Sequence, residues 1–545
     1  MHISKLKIQN FKCFKEAFTL ELAEGLNIII GNNEAGKSTI LEAVHLALSG
    51  LYSGRYLKNE ISEYLFNNDA LNQYKASLST ATPLPPPEII IEVFIAGEDL
   101  PFFEGDGSTE KKKECGLCLK IAIDEKFKGE YSDYVREGST ALPIEYYEAT
   151  WTTCAREAIT PRKIPIKSAL VDSTSNRYQN GSDVYISHII RNHLDEKEKN
   201  GLIQAHRKLQ ALFGNEEAVR AVNKVIKALS QETDTDKEVK LSIDLSSKNA
   251  WENSFLTYVA DVPFHHIGKG EQAIIKTKLA LQHKKVKEAN LILLEEPENH
   301  LSHSKLYQLI KGIESKCADK QIIISTHSSF VANKLGLDKL IILNDRKTTK
   351  LDSLKDSTQD FFRKIPGYDT LRLILCKKAI LVEGDSDELI VQKAFMKKNA
   401  GKLPIENEID VISVGTSFLR FLEIAEKITK PVAVVTDNDG DIDAIKEKYK
   451  DYLGDNAKSY IKISFDEVID PNLGEIGGKA FNYNTLEPKM VKANGEDKIK
   501  KVLNTEKSGD DLRIHMKTYK TDCALKIFNT GEDIVFPDYI TNAIE

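Results

Sequence analysis

The chain of 545 residues is long enough for about three or four domains, each with its own core, which excludes a peptide-sized or single-fold protein. Its 41% hydrophobic and 29% charged residues are a globular balance and exclude wholesale disorder or a fibrous repeat. Seventy-five basic against 82 acidic residues leave a net charge of −7, so any contact with a polyanion requires a local basic patch.

Met1 to Phe14 alternates polar and apolar residues and carries several lysines, which reads as a first strand and not as a signal peptide. No apolar run approaches the span of a bilayer. Seven cysteines, few and odd in number, suit reduced thiols. A cytoplasmic protein without a membrane partner is the expectation. Strand-like alternation dominates to about Ser168, broken by the prolines 83 and 85–87 ahead of the strand-like run Glu88 to Ile95. Cys115-Gly116-Leu117-Cys118 lacks a second ligand pair at zinc spacing and reads as a hairpin turn.

Leu26 to Ile30 is a short apolar strand, and Gly31-Asn32-Asn33-Glu34-Ala35-Gly36-Lys37-Ser38 follows it, with helical spacing from Thr39 to Leu48. That order of strand, Gly-x4-Gly-Lys-Ser and helix is a phosphate-binding loop. Its backbone N–H groups surround phosphates, Lys37 reaches the β- and γ-phosphates, and Ser38 ligates Mg²⁺. Between about Asp183 and Leu229 the pattern turns helical, with Leu202, His206, Leu209 and Phe213 on one face and Val219, Val222, Ile226 and Leu229 on another. The polar segment Ser230 to Lys240 closes it. No long heptad region accompanies it, so 183–240 is a modest helical insertion and a candidate dimerisation element.

Ile267-Gly268-Lys269-Gly270-Glu271-Gln272 opens a helix about twenty residues before the buried strand Leu291 to Leu294, which ends in Glu295-Glu296-Pro297. A strand ending in two carboxylates is where a phosphate-loop ATPase holds its metal and its hydrolytic water. Glu295 takes the Mg²⁺ position and Glu296 orients or deprotonates the water. Ser325-Thr326-His327-Ser328 follows the next apolar strand, Ile322 to Ile324.

These elements, with the opening Lys5 to Phe14, resemble ABC-type ATPases of the SMC and RecF kind. The resemblance implies that Gly268, Gly270 and Gln272 contact the γ-phosphate in a partner subunit, that Thr39 and the loop glycines line the nucleotide, and that His327 senses it. It also implies a homodimer or a higher even oligomer. The chain departs from the pattern in having Glu295 where the family carries Asp, and in lacking a Leu-Ser start to the signature loop.

The polar stretch Asn344 to Asp360 reads as a connector. Beyond it the strand Ala379 to Val382 ends in Glu383-Gly384-Asp385-Ser386-Asp387-Glu388, and the strand Pro431 to Val435 ends in Asp437-Asn438-Asp439-Gly440-Asp441. Carboxylates at the C-terminal ends of neighbouring parallel strands converge on the crevice where α/β sheets bind ligands. Hard oxygens placed there suit Mg²⁺ or Mn²⁺. An EF-hand is excluded, because its glycine position is Ile442 and its twelfth position Lys448.

The arrangement resembles the Toprim fold of topoisomerases, primases and OLD (overcoming lysogenisation defect) nucleases. An ABC ATPase followed by a Toprim domain is similar to the OLD family, which includes the nuclease subunit of Gabija antiphage systems. The resemblance implies metal ligands at Glu383, Asp387, Asp437 and Asp439, with Glu487 of Thr485-Leu486-Glu487 as a further one. It assigns Val411 to Gly415 as the intervening strand and turn, and Lys520 as the lysine that stabilises the transition state, with Lys517 and Lys526 as competitors.

The expected fold is therefore an α/β chain: ATPase at 1–182 and 241–345, insertion at 183–240, connector at 346–378, and Toprim nuclease at 379–545. The expected function is an ATP-regulated, metal-dependent DNA endonuclease in antiphage defence, cutting by two metals, with a DNA-binding face near Lys517 and Lys520. The alternative is an SMC/RecF-like ATPase scaffold or sensor that does not cut. Partners offered by the resemblance are a helicase, as in Gabija, or a reverse transcriptase with its DNA product, as in some retrons. The lysine-rich stretches at 111–113, 284–285 and 489–507 are interspersed with acids and read as solvated faces.

Overall fold

The computed structural model describes the chain apart from residues 54, 79, 81, 137–140, 173–177, 180–181, 184–193, 231–256, 273, 276–288, 300, 317–318, 345, 352, 471–473 and 477–478. Parts of the helical insertion, the polar segment that closes it, and Lys284-Lys285 thus lie outside the described residues. The chain divides into two compact units, one of residues 1–29 and 33–326 and one of residues 30–32 and 327–545.

In the first unit, β1 (His2–Gln9) and β2 (Phe18–Glu21) form a hairpin. Next come β3 (Leu26–Gly31), helix α1 (Lys37–Ser49), β4 (Ile89–Ala96), β5 (Glu114–Ile123), β6 (Tyr147–Thr153) and β7 (Ser168–Asp172). Strands β2-β1-β4-β5-β6 pair antiparallel. The period-two burial of β6 follows from packing one face of that strand. Cys115 and Cys118 lie inside β5 and not at a turn. An offset of three in a strand sends their side chains to opposite faces, so the pair cannot chelate one ion.

Helices α2 (Glu196–Asn215) and α3 (Glu217–Ser230) follow. Asp195 and Glu198 form a reciprocal capping box at the start of α2. The apolar positions of this pair are largely uncovered: Leu209 is 59% exposed and Val225 60%, whereas Val219 is buried. Then come β8 (Leu291–Glu295) and β9 (Gln321–Ser325). Strands β7-β8-β9-β3 run parallel, each in register with the next. Leu291–Leu294 and Ile322–Ile324 are buried throughout, the continuous apolar run expected of a parallel sheet covered on both faces.

The second unit starts with α4 (Ser329–Leu335) and the hairpin β10 (Leu340–Asn344) and β11 (Lys347–Lys350). The stretch that reads as a connector carries β11 and continues into α5 (Asp356–Lys364) and α6 (Thr370–Leu375). Its polarity comes from the exposed strand β11, while Phe362 is fully buried, edge-on to Phe421.

Strand β12 (Lys378–Val382), helix α7 (Asp385–Lys398), β13 (Ile409–Ser413), β14 (Val432–Val435) and β15 (Ile461–Ser464) build a parallel sheet of order β13-β12-β14-β15. Consecutive strands lie on opposite sides of β12, which creates a switch point at its carboxyl end. Helices α8 (Leu486–Asn494), α9 (Lys520–Asn529) and α10 (Asp538–Ala543) contribute Met490, Ala524, Ile527 and Ile540 to one core with Ile380, Val382 and Val435.

Candidate functional site

The phosphate-binding loop leaves β3 and enters α1 through Gly36, which sits at φ 107°. A side chain there would strain the backbone and meet Phe14 at 2.7 Å and Cys13 at 2.9 Å, so the loop glycine is a steric requirement. Lys37 is only 5% exposed. Burial pulls its ammonium below the ordinary value, opposed by the negative charges of Glu296 and Glu298. Ser38 and Asn33 are exposed and Thr39 is buried in the first turn of α1.

Glu295 ends β8, paired with Ser325 of β9, and the Glu296 amide donates to Ser325 O at 3.0 Å. Glu296 takes a left-handed backbone, φ 40°, and its Oε2 accepts from Asn299 Nδ2 at 2.7 Å. Thr326 Oγ1 donates to Glu298 Oε1 at 2.7 Å. Glu298 was not singled out by sequence; an acid two residues after a strand-end pair is its only signal.

Gly268 leads into a helical turn at 269–272 containing Gly270, and buried Gln272 donates its amide to Ile267 O at 2.9 Å. Gly31, Asn32 and His327 are assigned to the second unit. His327 follows β9 and is exposed.

The second constellation lies at the carboxyl ends of β12 and β14, which are adjacent and parallel. Glu383 follows β12; its carbonyl accepts from Gly415 N at 3.0 Å, which ties down the turn after β13. Gly415 adopts φ 57° there. Asp387 stands in the first turn of α7, where its Oδ2 accepts from Gly384 N at 3.1 Å. Asp437 follows β14, with Oδ2 accepting from Leu486 N at 3.0 Å and Oδ1 from the Tyr539 hydroxyl at 3.3 Å. Asp439 is exposed at φ 49° and accepts from Asn482 Nδ2 at 2.9 Å. Buried Asn438 holds this turn through its amide, on Asp466 O at 2.6 Å and Val468 O at 3.1 Å.

Glu487 is buried, and its Oε1 accepts no hydrogen bond while Lys520 Nζ stands 3.4 Å away. Burial lifts Asp387 to about 6, helped by the charges of Glu487 and Glu383 and opposed by Lys520. Asp437 is pushed well above the carboxylate range by burial and by the charges of Asp387 and Glu487. Burial acts to lower Lys520, but the Glu487 carboxylate outweighs it and holds the ammonium above its ordinary value.

Of the three lysines considered, Lys520 thus faces the carboxylates. Lys526 Nζ is turned to Leu503 O at 2.7 Å, and Lys517 Nζ lies over the Phe481 ring at 5.1 Å. Within the lysine-rich stretch 489–507, Lys489 is no solvated side chain. It is buried and paired with Asp466 at 2.5 Å.

Among the described residues, no three Asp, Glu, His or Cys side chains already close around a single point as a metal-binding group. The donor set nonetheless fits a divalent cation. It is made of hard carboxylate oxygens, burial and then mutual repulsion raise the proton affinity of two of them, and Glu487 Oε1 is buried without a hydrogen bond. Tyr539 and Asn482, which sequence reasoning missed, come from elements with no motif of their own.

Residues 1–332 match the family model of the AAA ATPase domain, and residues 374–439 match that of the overcoming lysogenization defect protein-like TOPRIM domain. The chain is similar to the OLD nuclease of Thermus scotoductus (strain ATCC 700910 / SA-01), 22% identical over 478 residues that cover 80% of this chain and 82% of that protein. A shorter region is 27% identical over 165 residues to the DNA double-strand break repair Rad50 ATPase of Archaeoglobus fulgidus, covering 27% of this chain and 18% of that protein. Among solved structures, that of the recombination mediator protein RecF with ATP aligns with a TM-score of 0.33 at 13% identity, over 64% of this chain and 99% of that one.

Proposed function

The chain belongs to the AAA ATPase family, joined here to an OLD-type TOPRIM domain, and on that premise we propose that it is an ATP-regulated, divalent-metal-dependent DNA endonuclease of the OLD family that acts in antiphage defence. The observation that carries the reading is the convergence of Asp387, Asp437 and Glu487 with Lys520 beside the carboxyl ends of two adjacent parallel strands.

In this reading Glu383, Asp387, Asp437, Asp439 and Glu487 hold two Mg²⁺ or Mn²⁺ ions. Such ions, when bound, supply Lewis-acid stabilisation and a water of lowered pKa. Lys520 offsets the charge that develops on the phosphate. The backbone N–H groups of Leu486 and Gly384 hold the Asp437 and Asp387 carboxylates in place. Hydrolysis is preferred over strand passage, because the tyrosine beside these acids, Tyr539, is buried with its hydroxyl engaged on Asp437 Oδ1.

The phosphate-binding loop takes ATP with Mg²⁺. Lys37 and the loop residues Gly31, Asn32, Asn33, Gly36 and Thr39 cradle the phosphates, while Ser38 and Glu295 ligate the ion. Glu296 orients the attacking water, and His327 senses the γ-phosphate. Gly268, Gly270 and Gln272 act on the nucleotide of a second copy, so the working form is at least a dimer, for which α2 and α3 with their uncovered apolar residues are the contact element.

The deciding experiment incubates purified protein with DNA and Mg²⁺ or Mn²⁺, with and without ATP. Cutting is expected, and its loss in Glu383→Ala and Asp437→Ala, with nucleotide binding intact, ties it to the second constellation. DNA left whole under every metal and nucleotide condition, together with a stable complex with another protein, would instead establish a non-cutting ATPase scaffold. Sedimentation as a monomer with ATP under hydrolysis-blocking conditions would overturn the dimer.

A further inference from the structure

Asp437 is a constrained carboxylate, because each of its oxygens is held by a different element. Oδ2 accepts from the backbone N–H of Leu486, the first residue of α8, and Oδ1 accepts from the phenol of Tyr539 on α10. A carboxylate oxygen has two lone-pair sites. One hydrogen bond on each leaves one site per oxygen for a cation, with the plane of the group set by the two donors.

Tyr539 is itself held firmly. It is 5% exposed within the core that α10 shares with β14 and α8. The last turn of its helix is clamped by two lysines from the sheet: Lys462 Nζ donates to Asn542 O at 2.6 Å and Lys378 Nζ to Ala543 O at 3.4 Å. Cations at a helix C-terminus satisfy its orphan carbonyls and oppose the helix dipole. Lys398 adds an ion pair to Glu545 at 3.1 Å. Both lysines stand on strands of the sheet whose carboxyl ends carry the acids, so they tie α10 to that sheet.

We propose that Tyr539 is a positioning residue for the metal: its hydroxyl, delivered by the lysine-clamped helix α10, fixes the Asp437 carboxylate in the orientation that binds a divalent cation. The inference rests on Asp437 being a ligand. A hydroxyl that orients a ligand differs from one that merely fills the core, because its removal changes metal affinity while the fold survives.

The test titrates Mn²⁺ into the full-length protein, following the free-ion electron paramagnetic resonance signal, for wild type, Tyr539→Phe and Asp437→Asn. Tyr539→Phe keeps the ring and is expected to weaken Mn²⁺ binding about tenfold or more. The metal concentration giving half-maximal DNA cutting should rise equally, and the rate should recover at saturating metal. Wild-type affinity in a Tyr539→Phe protein that melts cooperatively would overturn the proposal.

If Asp437→Asn also binds Mn²⁺ as wild type does, the ligand assignment fails, and the two failures are thereby distinguished. Should Tyr539→Phe not fold, 3-fluorotyrosine placed at 539 retains the hydroxyl. Its fluorine resonance is expected to move on Mg²⁺ addition in the wild-type background and to stay fixed with Asp437→Asn, whereas a resonance indifferent to Mg²⁺ in both would overturn the proposal.

Discussion

Lys520 Nζ stands 3.4 Å from Glu487 Oε1, an ion pair that joins α9 to the start of α8 beside the strand-end acids. Nearly half of the lysine side chain remains solvent-exposed, so it can meet a phosphate as well as the carboxylate. Lys520→Ala is expected to slow DNA cutting by about a hundredfold, the scale of losing one charge-stabilising donor. Lys526→Ala, which frees only Leu503 O, should cost stability of about 1 kcal/mol and leave the cutting rate near wild type. Single-turnover rates at saturating metal separate the two.

Divalent metal should stabilise the protein against heat. Binding to the folded state alone contributes about 2.7 kcal/mol when the ion is present at a hundred times its dissociation constant. Asp437→Ala should abolish that gain. Differential scanning fluorimetry with a metal series, with chelator as the reference, reads the effect directly, and an equal metal-induced shift in the variant would refute the assignment of Asp437.

On the nucleotide side, Lys37→Ala is expected to weaken ATP binding roughly ten- to a hundredfold, the value of a hydrogen bond to a charged partner. A fluorescent ATP analogue gives the measurement. Because Lys37 is buried beside Glu296 and Glu298, Lys37→Met, which keeps the aliphatic volume, is the control that isolates charge from packing.

A structural prediction concerns Asn333, which is fully buried. Its amide donates to Pro366 O at 3.2 Å and Tyr368 O at 2.6 Å, and its carbonyl oxygen accepts from Thr370 Oγ1 at 2.6 Å. Asn333→Ala strands all three partners and should destabilise the second unit by about 3 kcal/mol. Urea unfolding followed by circular dichroism should show the midpoint falling, and Asn333→Asp, which sets a buried carboxylate against the Pro366 and Tyr368 carbonyl oxygens, should lose at least as much.

By itself the sequence determined the parts that depend on neighbours in the chain. The phosphate loop, the strand ending in Glu295 and Glu296, and the two acidic runs after β12 and β14 each combine a short apolar run with a local turn requirement, and such signals survive without knowledge of the fold. Local pattern misled at Cys115 to Cys118, where a strand continues through residues that read as a turn, because pairing with β4 and β6 outweighs the glycine's preference.

Tertiary structure alone decided what converges from a distance. Sequence left Lys517, Lys520 and Lys526 open as candidates, since all three lie within ten positions; the helix phase of α9 turns Lys520 toward Glu487 and Lys526 away to Leu503. Tyr539 carries no motif, and only the packing of α10 on the sheet, a hundred residues on from Asp437, brings its hydroxyl to that carboxylate. A side chain's chemistry is written in its identity, but its partner is chosen by which faces the core buries.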